Sequence, residues 1–167
     1  MSYRIEELRL QNFGKIEKLH CNKFSNINLI IGENGTGKTF LLKSLYSAVK
    51  AMEEYKRGDD ITSISDILSE KLRWTFQVDK LGDMVSRNVT EGLDFQLNLD
   101  KVALGYQFSK SASSKVGTVG ITGRGKEGNS IFIPAKEVLS LFSVILKSRE
   151  IDNCTKKRKY SKLYFAK

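Results

Sequence analysis

The stretch Gly32-Glu33-Asn34-Gly35-Thr36-Gly37-Lys38-Thr39 decides the fold class of this 167-residue chain. It matches the pattern G-x-x-x-x-G-K-[ST] at every position, and this pattern is typical of a loop that binds phosphate groups. Glycine at positions 32, 35 and 37 permits the positive φ angles and the close backbone approach that such a loop needs. We therefore predict a phosphate-binding loop in which Glu33 and Thr36 are spacers.

The loop also predicts which atoms meet the ligand. Backbone N–H groups from Asn34 to Thr39 form a nest for anionic oxygens. The Lys38 ammonium reaches the β- and γ-phosphates of a nucleotide, and the Thr39 hydroxyl ligates Mg²⁺. The N-K-x-D motif of GTPases is absent, which favours ATP. The predicted binding residues are Asn34, Gly35, Thr36, Gly37, Lys38, Thr39 and Phe40, with Thr39 as the metal ligand and with ATP and Mg²⁺ as cofactors.

The segments that flank the loop agree with this prediction. Residues 27–31 form a nearly continuous apolar run, which predicts a strand buried on both faces. From Thr39 to about Lys56, apolar side chains recur at three- and four-residue spacing and predict an amphipathic helix. Its expected buried stripe consists of Leu42, Leu45, Val49 and Met52. A strand, a glycine-rich turn and a helix in this order are the context that the motif requires.

Other elements follow from local patterns. Leu8 and Leu10 predict one face of an N-terminal strand, and a turn at 12–15 leads to a second strand from Ile16. Ser63 and Asp66 have the spacing of a capping box and predict the start of a second helix. The expected buried stripe of that helix consists of Ile64, Leu68 and Leu72.

The second half of the chain has the composition of strands. Four short segments rich in aromatic and β-branched residues predict an antiparallel β meander: LRWTFQV (72–78), LDFQLNLD (93–100), VALGYQFS (102–109) and VGTVGITG (116–123). After a glycine-rich turn at 123–129, residues 130–133 predict another short strand. Pro134 then opens a predicted third helix that extends to about Lys147.

Composition limits the class of protein. The formal net charge is +9, but six of the 28 basic residues lie in 155–167, which contains no acidic residue. We predict that residues 1–154 form the N-terminal part of one domain and that residues 155–167 form a basic, disordered tail. No segment is apolar enough for a membrane span or a signal peptide, so we expect a cytoplasmic protein. Cys21, Cys154 and the single His20 support neither a disulfide framework nor a zinc site.

The opening LRLQNFGKIEKL, followed by INLIIGENGTGKTFLLKSL, resembles the N-terminus of the ABC-type P-loop ATPases related to SMC, RecF and the OLD nucleases. The segment IFIPAKEVLSLFSVILKSREID resembles the AAA-family ATPases of anti-phage defence. This resemblance implies an α/β P-loop NTPase fold of the ABC or SMC type. It has a mixed sheet around the P-loop helix and an antiparallel β subdomain. It also implies that residues 12–15 lie near the base and ribose, although Phe13 is equally well explained as a core residue.

The same resemblance shows which parts are missing. The sequence contains neither the apolar strand ending in Asp-Glu (Walker B) nor the LSGGQ-like signature loop that completes the site across a dimer in this family. We therefore expect the N-terminal part of a longer ATPase, cut short before Walker B by design, by natural truncation or by a frameshift. Such a chain binds ATP and hydrolyses it only when the missing motifs are supplied. One alternative is a non-catalytic nucleotide-binding protein that pairs with itself or with a full-length relative. Another is nucleic-acid binding through the basic tail.

Overall fold

The computed structural model describes residues 4–58, 61–100, 102–123 and 128–133. Within these ranges the elements are strands β1 (Ile5–Phe13), β2 (Ile16–Cys21), β3 (Leu93–Leu99), β4 (Val102–Phe108) and β5 (Thr118–Thr122), helices α1 (Lys38–Glu54) and α2 (Ile64–Phe76), and a short 3-10 helix (Leu81–Met84). The chain divides into two units, Met1–Ile131 and Phe132–Lys167. Only residues 132 and 133 of the second unit are described.

The five strands form one antiparallel sheet in the order β2-β1-β3-β4-β5. Alternate side chains along β1, β3 and β4 are buried, because one face of each strand packs on the core. The predicted strand at Leu8 and Leu10 is confirmed, and these side chains are 1% and 2% exposed. The α/β class is confirmed, and three of the four segments of the predicted antiparallel meander form strands β3, β4 and β5. All strand pairs among the described residues are antiparallel, so the parallel part of the predicted mixed sheet is not seen there.

Helix α1 forms where the sequence predicts it, and its predicted stripe is buried in part, because Met52 is fully buried and Leu45 and Val49 are partly buried against the core. Its buried positions are small or polar for the most part, namely Ser44, Ser47, Ala48, Ala51, Met52 and Glu53. Leu42, predicted to be buried, is 45% exposed. Small side chains allow the helix to approach its neighbours closely, which a stripe of leucines does not.

Helix α2 begins with the predicted cap. The Ser63 hydroxyl oxygen accepts a hydrogen bond from the Asp66 backbone N–H at 3.1 Å. The strand predicted at 72–78 is wrong, because most of this segment is the last turns of α2, which ends at Phe76. Leu72 lies one turn beyond Leu68 and both are fully buried, so the helical apolar stripe overrides the β propensity of the neighbouring residues.

The predicted buried strand at 27–31 is also wrong. The structure assigns no strand to these residues, and Ile27, Leu29 and Ile31 are 89%, 82% and 83% exposed. A strand depends on neighbouring strands for its backbone hydrogen bonds and for the burial of its side chains. Every described strand pairs with other strands and not with residues 27–31. The apolar run is therefore a segment without a sheet partner in the described part of the chain.

The strand predicted at residues 130–133 is wrong, and the predictions beyond residue 133 cannot be compared with the structure. Residues 130–133 form no strand, and Ile131 and Ile133 are largely exposed. Ser130 is held instead by the buried Glu53 carboxylate, which accepts its hydroxyl at 2.7 Å. The predicted helix at 134–147 and the tail at 155–167 lie outside the described residues. No helix in the described ranges is long and apolar enough to cross a membrane.

Candidate nucleotide site

The glycine-rich loop between residues 32 and 37 has backbone angles that only glycine adopts easily. Gly35 and Gly37 have φ angles of +80° and +97°, whereas Gly32 does not lie in the left-handed region. A Cβ atom added at Gly37 would lie 3.0 Å from the Ile16 side chain. Gly37 is therefore required both for its φ angle and for the close approach of β2 to the loop.

Two side chains brace the loop from within. The Thr36 hydroxyl donates to the Glu33 carbonyl at 2.9 Å. The Lys38 ammonium donates to the carbonyls of Gly32 and Glu33 at 2.7 and 2.5 Å. The prediction that Thr36 and Glu33 are spacers is therefore incomplete, because their hydrogen bond fixes the shape of the loop.

The N-terminus of α1 is left open to an anion. Gly37 is its N-cap residue, no side chain caps it, and its first turn contains no acidic residue. The first backbone N–H groups of a helix have no partner inside the helix, and the helix dipole makes this end positive. This end of α1 can therefore accept the oxygens of a phosphate group.

A cavity of about 920 Å³ lies at this helix end. Six of the seven predicted binding residues line it, and Thr36 is the exception. The other lining residues come from the turn between β1 and β2, where Gly14 and Lys15 belong to the segment expected near the nucleoside, from β2, and from a segment before β3. The complete lining is Gly14, Lys15, Glu17, Asn34, Gly35, Gly37, Lys38, Thr39, Phe40, Asp83, Val85, Ser86, Arg87, Asn88 and Val89.

The wall at 83–89 is joined by hydrogen bonds to the turn after β1. The Gly14 N–H donates to the Met84 carbonyl at 2.7 Å, and the Ser86 N–H donates to the Asn12 carbonyl at 2.9 Å. The Ser86 hydroxyl donates to the Gly14 carbonyl at 2.7 Å. These bonds bring a segment about 70 residues later in sequence to the same cavity as the glycine-rich loop.

Charged side chains in the cavity include more cations than acids. Lys15, Lys38 and Arg87 are the cations, and Glu17 and Asp83 are the acids. The Lys15 ammonium lies 3.4 Å from the position that a Cβ atom of Gly35 would occupy, so it lies beside the loop. No ion pair among the described residues engages Lys15 or Arg87. Both charges are therefore available to a ligand.

Phe13 and Phe40 differ in their relation to the cavity. Phe13 is fully buried and is absent from the cavity lining, which supports the core role over the base-contacting role. Phe40 lines the cavity and packs against Gly14, where an added Cβ would lie 2.7 Å from its ring. Phe13, Phe40 and Phe76 contact one another edge to face. Because Phe40 lies in the first turn of α1, this aromatic cluster anchors the start of the helix to the core.

No cluster of three or more metal-ligating side chains occurs within the described ranges. The Glu7 carboxylate accepts a hydrogen bond from the His20 ring at 2.9 Å, and His20 is half-exposed. Hydrogen bonds from Arg9 and His20 lower the pKa of Glu7. Neither His20 nor Cys21 lines the cavity, so this pair has no part in the candidate site.

The fold and the cavity define an α/β protein in which a glycine-rich loop opens a helix beside an antiparallel sheet. The chain belongs to the AAA domain family, which matches residues 7–165.

Proteins named "DNA replication and repair protein RecF" are similar in sequence. Those of Bacillus cereus (strain G9842) and Bacillus thuringiensis (strain Al Hakam) are each 31% identical over 98 residues, which are 58% of this chain. The match spans 23% of the length of these relatives. The chain is also similar to a solved structure from work on ATP-driven dimerization and DNA-stimulated activation of SMC ATPases. That match has a TM-score of 0.48 and 14% identity, and it covers 72% of this chain and 70% of the other.

Proposed function

We propose that this chain binds Mg-ATP in the cavity at the N-terminus of α1. The observation that carries the proposal is the uncapped helix end, which opens directly from a loop of the sequence GENGTGKT. Open backbone N–H groups, the helix dipole and a lysine on the same turn together fit a chain of phosphates. Membership in the AAA domain family and the similarity to RecF proteins support nucleotide as the source of those phosphates.

Lys38 has a direct role in this proposal. Its ammonium donates to two carbonyls of its own loop, at Gly32 and Glu33. A bound ATP would replace these two carbonyl acceptors with β- and γ-phosphate oxygens, whose negative charge makes the hydrogen bonds from the ammonium stronger. The backbone amides from Asn34 to Thr39 hold the remaining oxygens.

A magnesium ion bound with the nucleotide would need few protein ligands. Mg²⁺ keeps several waters and takes phosphate oxygens with one or two protein ligands, so a cluster of carboxylates is not required. Thr39 is the second residue of α1, is exposed and lines the cavity, and its hydroxyl therefore fits as a ligand. The ion, when bound, neutralises charge on the phosphates.

The remaining wall of the cavity would hold the nucleoside. The phosphates occupy the glycine-rich loop, so the base and ribose extend towards Lys15 and the segment 83–89, which line the rest of the cavity. Val85 and Val89 offer apolar surface to a purine, and the Arg87 guanidinium offers a planar cation that stacks on aromatic rings.

We infer that this chain does not hydrolyse ATP alone and is the N-terminal part of a larger ATP-binding head. Phosphoryl transfer to water requires metal and water positioning, and the sequence has no Walker B strand or signature loop. The exposed apolar side chains at 27–31 support a missing part of the sheet. The alternative is a non-catalytic nucleotide-binding protein. It also binds ATP, but its function does not require the missing Walker B strand and signature loop.

We propose ATP-dependent pairing with a second copy or with a full-length relative. DNA contact is proposed through the basic segment 155–167, which lies outside the described residues. The role in anti-phage defence and the cytoplasmic location are predictions from sequence alone.

The magnesium assignment predicts the behaviour of Thr39→Ala. In EDTA, we expect the parent and the variant to bind ATP with equal affinity, because the hydroxyl then has no ion to hold. With Mg²⁺ present, the variant should bind about tenfold more weakly than the parent, as expected for loss of about 1.4 kcal/mol. Isothermal titration calorimetry measures both conditions. Thr39→Ser, which keeps the hydroxyl, is the matched control, and equal magnesium dependence of all three proteins would refute the assignment.

A further inference from the structure

Lys110 contacts the far wall of the cavity although it does not line it. It lies in the turn after β4, and its ammonium donates to the Arg87 carbonyl at 2.7 Å and to the Val89 carbonyl. Within the described part of the chain, no other hydrogen bond reaches these two carbonyls. One side chain therefore holds both ends of the turn at 87–89.

This turn is the part of the wall that has least support from the backbone. Residues 84–86 are joined to the turn after β1 by the bonds of Met84 and Ser86 described above. Beyond Ser86 this ladder stops, and the chain turns outward at Arg87 and Asn88 before it reaches β3. The position of the wall beside the nucleoside thus depends on the Lys110 ammonium.

We propose that Lys110 is a positioning residue for nucleotide binding, acting through the turn at 87–89 on the nucleoside end of the ligand. The inference rests on the proposed binding of ATP in this cavity. Lys110 does not touch the ligand. It keeps Arg87, Asn88 and Val89 in the arrangement that contacts base and ribose, while the phosphate end depends on the glycine-rich loop alone.

The expected loss of ATP affinity depends on how often the turn at 87–89 adopts the arrangement that binds the nucleoside. An ammonium that donates to two carbonyls forms charge-assisted hydrogen bonds, and their loss frees a short, exposed turn. If the freed turn keeps the binding arrangement for about one-tenth of the time, the apparent affinity for ATP falls about tenfold. A ligand that has phosphates but no nucleoside should not be affected.

Lys110→Met tests this with two probes, ATP and inorganic triphosphate, each in the presence of Mg²⁺. Calorimetry should show ATP affinity reduced about tenfold and triphosphate affinity unchanged relative to the parent, since only ATP uses the wall at 87–89. Lys110→Arg should restore ATP affinity, because a guanidinium can donate to the same two carbonyls. Lys115→Met is the matched control. Lys115 pairs with Asp66 at 2.7 Å, lies outside the cavity and should leave both affinities unchanged.

Three outcomes would overturn the assignment. Unchanged ATP affinity in Lys110→Met would show that the turn needs no lysine. Equal loss for ATP and triphosphate would show a general effect on the fold or on charge, and a failure of Lys110→Arg to restore ATP binding would exclude the hydrogen bonds as the cause. Failure of the proposed function itself is distinguishable, because the parent protein would then bind neither probe.

Discussion

Lys38→Ala is expected to abolish ATP binding while the protein stays folded. Lys38 supplies the full positive charge on the phosphate loop itself, and hydrogen bonds between charged groups contribute about 1.5 to 3 kcal/mol each. Loss of two such bonds to phosphate weakens binding about 100-fold or more. In the described structure the ammonium bonds only to the Gly32 and Glu33 carbonyls, so its loss has little effect on the core. Titration with a fluorescent ATP analogue measures the change.

Lys43→Ala is the matched control for this experiment. Lys43 lies on the same helix, outside the cavity, and its ammonium lies 5.6 Å from the centre of the Phe76 ring. Its removal deletes one positive charge and an exposed cation–π contact of about 0.5 to 1 kcal/mol, so ATP affinity should remain near that of the parent. Parent-like affinity in Lys38→Ala, or equal loss in both variants, would contradict the assignment of the phosphate loop.

Gly82→Ala is expected to be the most destabilising single methyl addition in the described part of the chain. A Cβ atom at Gly82 would lie 2.0 Å from the Lys110 carbonyl oxygen, a backbone atom that cannot rotate away. The Gly82 N–H donates to the Ala112 carbonyl at 2.9 Å, so the two segments must separate and lose this bond. Such overpacking costs about 3 kcal/mol or more. Thermal unfolding should therefore occur about 6 to 12 °C below that of the parent.

Gly120→Ala controls for the general effect of adding a methyl group to a glycine. Gly120 lies in β5, and a Cβ atom there would meet nothing within 4 Å. Alanine in a strand is favoured over glycine by about 0.5 to 1 kcal/mol, so the unfolding temperature should be unchanged or slightly higher. An unfolding temperature for Gly82→Ala within 2 °C of the parent, about what 1 kcal/mol produces, would show that the close contact with residue 110 does not exist in solution.

Several elements could be predicted because their signals are local. The Ser63 cap, the β1–β2 hairpin and the start of α1 each depend on residues within a few positions of one another. Two predictions failed where the outcome depends on distant neighbours. Residues 72–78 have the composition of a strand, but Leu68 and Leu72 pack on one core and hold them as a helix. The run at 27–31 has the composition of a buried strand, but no described strand lies beside it.

In the candidate site, too, the part with a local signal could be predicted and the part that depends on distant residues could not. The glycine-rich loop was identified because one motif contains the glycines, the lysine and the threonine. The wall at 83–89 was missed because its sequence has no motif, and its place in the cavity depends on backbone bonds from Met84 and Ser86 to the turn after β1. Hydrogen bonds between backbone groups about 70 residues apart do not require particular side chains, so the sequence does not reveal them.

The most direct test of the central claim is to measure ATP binding and ATP turnover on the same purified chain with Mg²⁺ present. Equilibrium dialysis with labelled ATP gives the bound fraction, and released phosphate gives the rate. Our account predicts saturable binding of one ATP per chain with no turnover above that of Lys38→Ala. Absence of saturable binding would contradict the account, because the loop at 32–39 would then not hold phosphate at all.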